Sequence, residues 1–99
     1  MFSDVLGYDF QNVLYSSDHE IYSNTRYSQP ILLFYQYLLS KNQSGIDIVA
    51  AHSMGEYAAL VYSGVITIED ALKIVKVRAD TTSKICEASS TRMAAIIGL

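Results

Sequence analysis

The sequence predicts an α/β layer arrangement, and three observations carry that expectation. The apolar run Ile46–Ala51 stops abruptly at His52-Ser53-Met54-Gly55, and a helix-patterned segment starts at once. The elements then follow in the order helix, strand, helix, helix, strand, which suits a sheet covered by helices with Ile46–Ala51 as a parallel core strand. The composition allows a core: 51% of the 99 residues are hydrophobic and 17% charged, enough for one small domain at most.

Taken in order, residues 1–24 are the least patterned. Phe2, Val5, Leu6, Phe10, Val13 and Leu14 have loosely helical spacing broken by Gly7, and Ser16–Glu20 reads as a polar connection. Tyrosines such as Tyr8, Tyr15 and Tyr22 are most simply amphipathic packing residues. Ser28 with Pro30 in the first turn marks a helix start. The helix over Ile31–Leu39 is apolar nearly all round, which predicts burial on several sides. Gln29 reads as a polar side chain tying the helix start to a neighbouring loop, with ligand contact as the alternative. A polar turn, Ser40–Gly45, leads to the strand Ile46–Ala51.

The next helix places Met54, Tyr57, Ala58 and Val61 at i, i+3, i+4 and i+7, the spacing of one face. Glu56 in its first turn favours the positive end of the dipole, and Gly64 fits the position just past its C-terminus. Thr67 caps a further helix with Glu69 and Asp70 in its first turn, and its apolar stripe is Ile68, Ala71, Leu72, Val75 and Ala79. Lys73, Lys76, Asp80 and Lys84 lie on the solvated side. Arg78 sits instead at the edge of the inward face, where the plain reading is a snorkelling arginine paired with a local carboxylate. Residues 86–91 read as a loop and Arg92–Leu99 as a strand; Cys86 reads as a small buried hydrophobe without a disulfide partner.

The junction at Ser53 is where chemistry concentrates. A serine on a sharp strand-to-helix turn presents its hydroxyl above the sheet edge, the nucleophile elbow written G-x-S-x-G. The Met54 N–H, an unpaired donor at the helix start, can help to hold a developing oxyanion. Gly55 fits the pattern and Ala51 replaces the first glycine. On these residues alone, Ser53 also reads as an ordinary N-cap.

Several function classes fall away. A net charge of −3 and a pI near 5.1 leave no basic footprint for nucleic acid. The run Ile31–Leu39, interrupted by Gln36, is far short of the ~20 residues of a membrane span. The N-terminus lacks a basic region ahead of an apolar one, and the expected setting is soluble, in a cytoplasm or an organellar matrix. No metal-ligand spacing is present.

The run AHSMGEYAAL over Ala51–Leu60 resembles the GHS-x-GE-[YF]-x-AL stretch of malonyl-CoA:acyl-carrier-protein transacylases and the related acyltransferase domains of fatty-acid and polyketide synthases. Thr25–Leu32, TRYSQPIL, looks like that family's T-x-x-[TS]-Q-P-A-L segment. Val77-Arg78-Ala79 and Met93–Leu99, MAAIIGL, look like its helix arginine and its M-x-A-[VI]-[IL]-G-L strand. The resemblance covers about residues 25–99, with the whole chain, 1–99, as a partial acyltransferase domain. It implies an internal piece of the α/β-hydrolase-like large subdomain, with a ferredoxin-like subdomain beginning near the C-terminus.

The resemblance further implies an enzyme of fatty-acid or polyketide synthesis. Ser53 would be the nucleophile that takes a malonyl group from coenzyme A, through a seryl-malonyl intermediate, to the phosphopantetheine thiol of an acyl carrier protein. Met54 N–H would serve the oxyanion hole, and Arg78 would pair with the malonyl carboxylate, a match suited to guanidinium. No permanently bound cofactor is implied; malonyl-CoA and the carrier protein are the partners. No general base is in view: His52 adjoins Ser53 so that the two side chains diverge, and His19 lies in a polar connection. The family's catalytic histidine and its N-terminal glycine-glutamine loop have no counterpart here. Two rival readings stand beside this one, a serine esterase or thioesterase on the same elbow and a non-catalytic remnant or interaction module.

Overall fold

The computed structural model describes residues 1–98 and consists of six helices. Three are short: α1 (Phe2–Leu6), α2 (Phe10–Leu14) and α3 (His19–Ser23). Then come α4 (Thr25–Ser40), α5 (Gly55–Tyr62) and α6 (Ile68–Ala88). Caps set most of the boundaries. Asp9 and Asp18 accept N–H groups of α2 and α3, and Thr67 Oγ accepts the Asp70 N–H at 3.1 Å.

The α/β expectation is overturned. The structure is 61% helical, and among the described residues there is no strand and no sheet. Residues 46–51 and 92–98 carry the patterns that suggest strands, yet neither forms a ladder. A strand is a relation between two segments, because its N–H and C=O groups are satisfied only across a partner. Here both segments lie in solvent, with Ile48 86% and Ile97 91% exposed. Leu99, the end of the second expected strand, lies outside the described residues.

Three smaller differences have local causes. α4 begins a turn before Ser28, because the Asn24 side chain accepts the Arg26 N–H at 3.0 Å and caps the helix there. Pro30 therefore falls inside the helix, where it cannot donate to the carbonyl four residues back. The apolar surface of α4 is only partly covered: Pro30 and Leu33 are buried, whereas Leu32, Tyr35, Leu38 and Leu39 stay exposed. At the other end, α6 runs through residues 86–88, and Cys86 is exposed on it rather than buried.

α4 and α6 form the principal helix pair, with α1 laid against α6 and α5 against α4. Leu6, Phe10, Leu33, Met54, Ala71, Leu72 and Val75 make the core, and Phe2, Phe10 and Phe34 pack as a ring cluster with centroids 5.0–5.5 Å apart. Complete burial of Leu33, Leu72 and Val75 contributes about 1.5–3 kcal/mol each. This packing fixes α6 against α4 one turn from the residues that gather at Ser53.

Candidate functional site

Ser53 is the one non-glycine residue with positive φ among the described residues, at 52°. An L-residue in the left-handed region is held there by its surroundings. On one side runs the segment 46–52, which has no regular secondary structure. On the other, Gly55, Glu56 and Tyr57 donate in succession to the carbonyls of His52, Ser53 and Met54, at 3.0, 3.1 and 3.4 Å, and carry the chain into α5. Met54 anchors the turn, its side chain buried in the core. Its N–H precedes these bonds and has no acceptor among the described residues. A methyl at Gly55 would meet the Ala51 Cβ and the Gln36 amide at 3.8 Å, ordinary contact. The elbow therefore has room for alanine at position 55, and the small Ala51 forms its other wall.

The sharp turn leaves the Ser53 side chain exposed, and Arg78 reaches it. The Arg78 Nη2 donates to Ser53 Oγ at 3.2 Å, across 25 residues of sequence. Its Nη1 donates to Gln29 Oε1 at 2.6 Å. Gln29 is buried on α4, and its Nε2 donates to Thr25 Oγ1 at 2.7 Å and to Thr82 Oγ1 at 2.9 Å. The arrangement thus brings together Ser53, Met54 and Arg78, and adds Gln29, Thr25 and Thr82.

The charge around Arg78 is unusual for an arginine half-buried between helices. No carboxylate lies within ion-pair distance of it among the described residues. The nearby Asp80 is engaged elsewhere, by Lys76 at 3.0 Å and Arg26 at 3.5 Å. The local carboxylate that a snorkelling arginine would use is absent; a neutral amide and a serine hydroxyl take its place. Such a guanidinium, with N–H groups to spare beside a hydroxyl, suits an anionic group brought next to that hydroxyl.

His52 and His19 make no hydrogen bond to Ser53. His52 instead lines a cavity of about 490 Å³ between α4, α5 and residues 46–51, whose walls include Gln36, Ala51, Gly55 and Tyr62. Ser53 and Arg78 are not part of its lining. Among the described residues no three metal-ligating side chains gather, and no helix is long and apolar enough to cross a membrane.

Gln29 is the site residue that the sequence underdetermined. The sequence reads it as tying the helix start to a neighbouring loop, but two of its partners, Arg78 and Thr82, lie on α6, 49 and 53 residues away, a distance no local pattern encodes.

No protein-family model and no solved structure matches the chain. Curated proteins do. The malonyl CoA-acyl carrier protein transacylase of Haemophilus influenzae is 36% identical over 103 residues, spanning 98% of this chain and 33% of that protein. That of Mycolicibacterium smegmatis is 33% identical over 102 residues, spanning 97% and 35%. That of Escherichia coli K12 is 34% identical over 102 residues, spanning 98% and 33%. The resemblance read from residues 25–99 thus extends over nearly the whole chain, and the chain spans about a third of the length of the curated relatives it matches.

Proposed function

Because the chain is related along nearly its whole length to malonyl CoA-acyl carrier protein transacylases, we propose that it contributes the nucleophile and the carboxylate clamp of a malonyl transfer. The supporting observation is the guanidinium of Arg78, without a carboxylate partner, donating to Ser53 Oγ at 3.2 Å on a left-handed turn.

In this reading the malonyl thioester of coenzyme A enters with its free carboxylate on Arg78. A carboxylate takes two parallel N–H bonds from guanidinium, and its arrival draws Nη2 away from Ser53 Oγ. Ser53 then attacks the thioester carbonyl, its proton passing to a general base, while Met54 N–H supports the oxyanion. Arg78 cannot be that base, since guanidinium does not accept a proton. The carbon–sulfur bond breaks, coenzyme A leaves as the thiol, and Ser53 carries a malonyl ester. The phosphopantetheine thiol of an acyl carrier protein attacks the ester carbonyl, and the Ser53 hydroxyl is restored.

An esterase would use the same elbow but has no need of a cation beside the nucleophile, so Arg78 favours the transacylase. The test is acylation of Ser53 by malonyl- and acetyl-coenzyme A, followed by peptide mass mapping. With imidazole supplied as an external base, malonyl should load on Ser53 and not on a Ser53→Ala variant. A charged hydrogen bond is worth roughly 1.5–3 kcal/mol, so Arg78→Ala should slow malonyl loading by about one to two decades and leave acetyl loading unchanged. Equal loss for both acyl groups would reduce Arg78 to a structural role.

A further inference from the structure

We propose that Gln29 is a positioning residue that aims Arg78 while leaving its charge uncompensated, and so sets the preference of the site for a carboxylate-bearing acyl group. The inference rests on the carboxylate-clamp reading above and adds to it a residue on a different helix.

The hydrogen-bond directions admit one amide orientation. The Gln29 Nε2 has two protons and two acceptors, Thr25 Oγ1 at 2.7 Å and Thr82 Oγ1 at 2.9 Å. The Thr82 hydroxyl is committed as a donor to the carbonyls of Arg78 and Ala79, at 2.9 and 3.2 Å, so toward Gln29 it accepts. Flipping the amide would turn Nε2 toward a guanidinium that only donates and leave Oε1 facing a hydroxyl whose proton is already in use. Oε1 therefore faces Arg78 Nη1, at 2.6 Å.

That choice of acceptor has an electrostatic meaning. A carboxylate at position 29 would hold the arginine equally well by geometry, but it would pair the charge and compete with a substrate carboxylate. An amide anchors the guanidinium and leaves the positive charge available. Burial of Gln29, 5% exposed, keeps water from replacing the anchor and keeps the dipole fixed. The two threonines orient the amide; the amide orients the arginine; the arginine stands over Ser53.

The experiment follows the Arg78 side-chain Nε–H resonance in ¹⁵N-arginine-labelled protein titrated with malonate. Arg78→Ala identifies the signal among those of Arg26 and Arg92. In the wild type the resonance should move on titration. Gln29→Glu, nearly isosteric, should weaken malonate binding about tenfold or more by pairing the charge. Gln29→Leu keeps the charge free but unanchors a flexible side chain, and should weaken binding about three- to tenfold. Thr82→Val should weaken it about threefold, and Thr82→Ser, which keeps the hydroxyl, should bind like the wild type. Circular dichroism confirms that each variant keeps its helices, and the threonine pair supplies the test should a Gln29 variant fail to fold.

Unchanged malonate binding in folded Gln29→Glu and Gln29→Leu would overturn the inference while leaving the arginine clamp in place. Equal loss in Thr82→Val and Thr82→Ser would also overturn it, since the effect would then be one of packing. A wild-type Arg78 resonance indifferent to malonate would remove the clamp itself, and the positioning role with it.

Discussion

Replacing Ser53 by glycine should make the protein more stable than replacing it by alanine, the reverse of the usual order. Both substitutions delete the hydroxyl and its bond from Arg78 Nη2, so that loss cancels between them. What remains is the backbone at φ 52°. A Cβ in the left-handed region costs about 1–2 kcal/mol, which alanine keeps and glycine removes. Against this stands the larger conformational freedom of glycine in the unfolded chain, about 0.5–1 kcal/mol. The difference, roughly 0–1.5 kcal/mol, favours glycine by about 0.75 kcal/mol at its midpoint. For a chain of 99 residues, Tm moves by roughly 4–8 °C per kcal/mol, so the glycine variant should melt a few degrees above the alanine variant. Thermal unfolding followed by circular dichroism, with urea titrations for the free energies, measures it. A glycine variant that melts at or below the alanine variant would show that the turn at Ser53 is relaxed and that the elbow geometry is not stored strain.

Other expectations concern the core and a buried phenol. Leu33→Ala, at a completely buried position, should cost about 2–5 kcal/mol in urea titrations, whereas Leu32→Ala, 45% exposed one residue away, should cost about 1 kcal/mol or less. Burial, then the neighbouring Tyr27, pushes the Tyr8 hydroxyl from its usual 10.0 up to about 12, with Asp80 adding and Arg26 opposing. A raised folded-state value means that the unfolded chain ionises first. The contribution of Tyr8 to stability is intact below pH 10.0 and is lost as the pH rises toward about 12. Tyrosinate ultraviolet absorbance should show one late-titrating group that vanishes in Tyr8→Phe, along with that part of the alkaline loss of stability.

What the sequence made legible was local. Thr67 as a cap, Gly64 past the end of α5, the inward stripe of Ala71, Leu72, Val75 and Ala79, and the break between residues 51 and 55 are all decided within a turn or two of chain. The helix wheel also separated Arg78 from the lysines around it, although it could not say that a glutamine would stand where a carboxylate was expected. Non-local features were misread or missed. Apolar runs at 46–51 and 92–98 have the composition of strands, but composition cannot supply a hydrogen-bonding partner. Cap competition likewise escaped the reading of α4, where Asn24 takes the N-terminus and leaves Pro30 to be carried inside.

Leu33 and Gln29 lie one turn apart on α4, and Val75 and Arg78 one turn apart on α6. The interface that excludes water from the core is thus continuous with the one that sets the distance from Gln29 to Arg78. Side chains in a close-packed interior transmit a change of volume rather than absorb it. An altered contact at Leu33 or Val75 would slide one helix along the other, and a bond of 2.6 Å has little slack for such a slide. Selection acting on packing in this seam therefore acts at the same time on the aim of the arginine. The placement of the Arg78 guanidinium at Ser53 and the stability of the fold are two readings of one helix register.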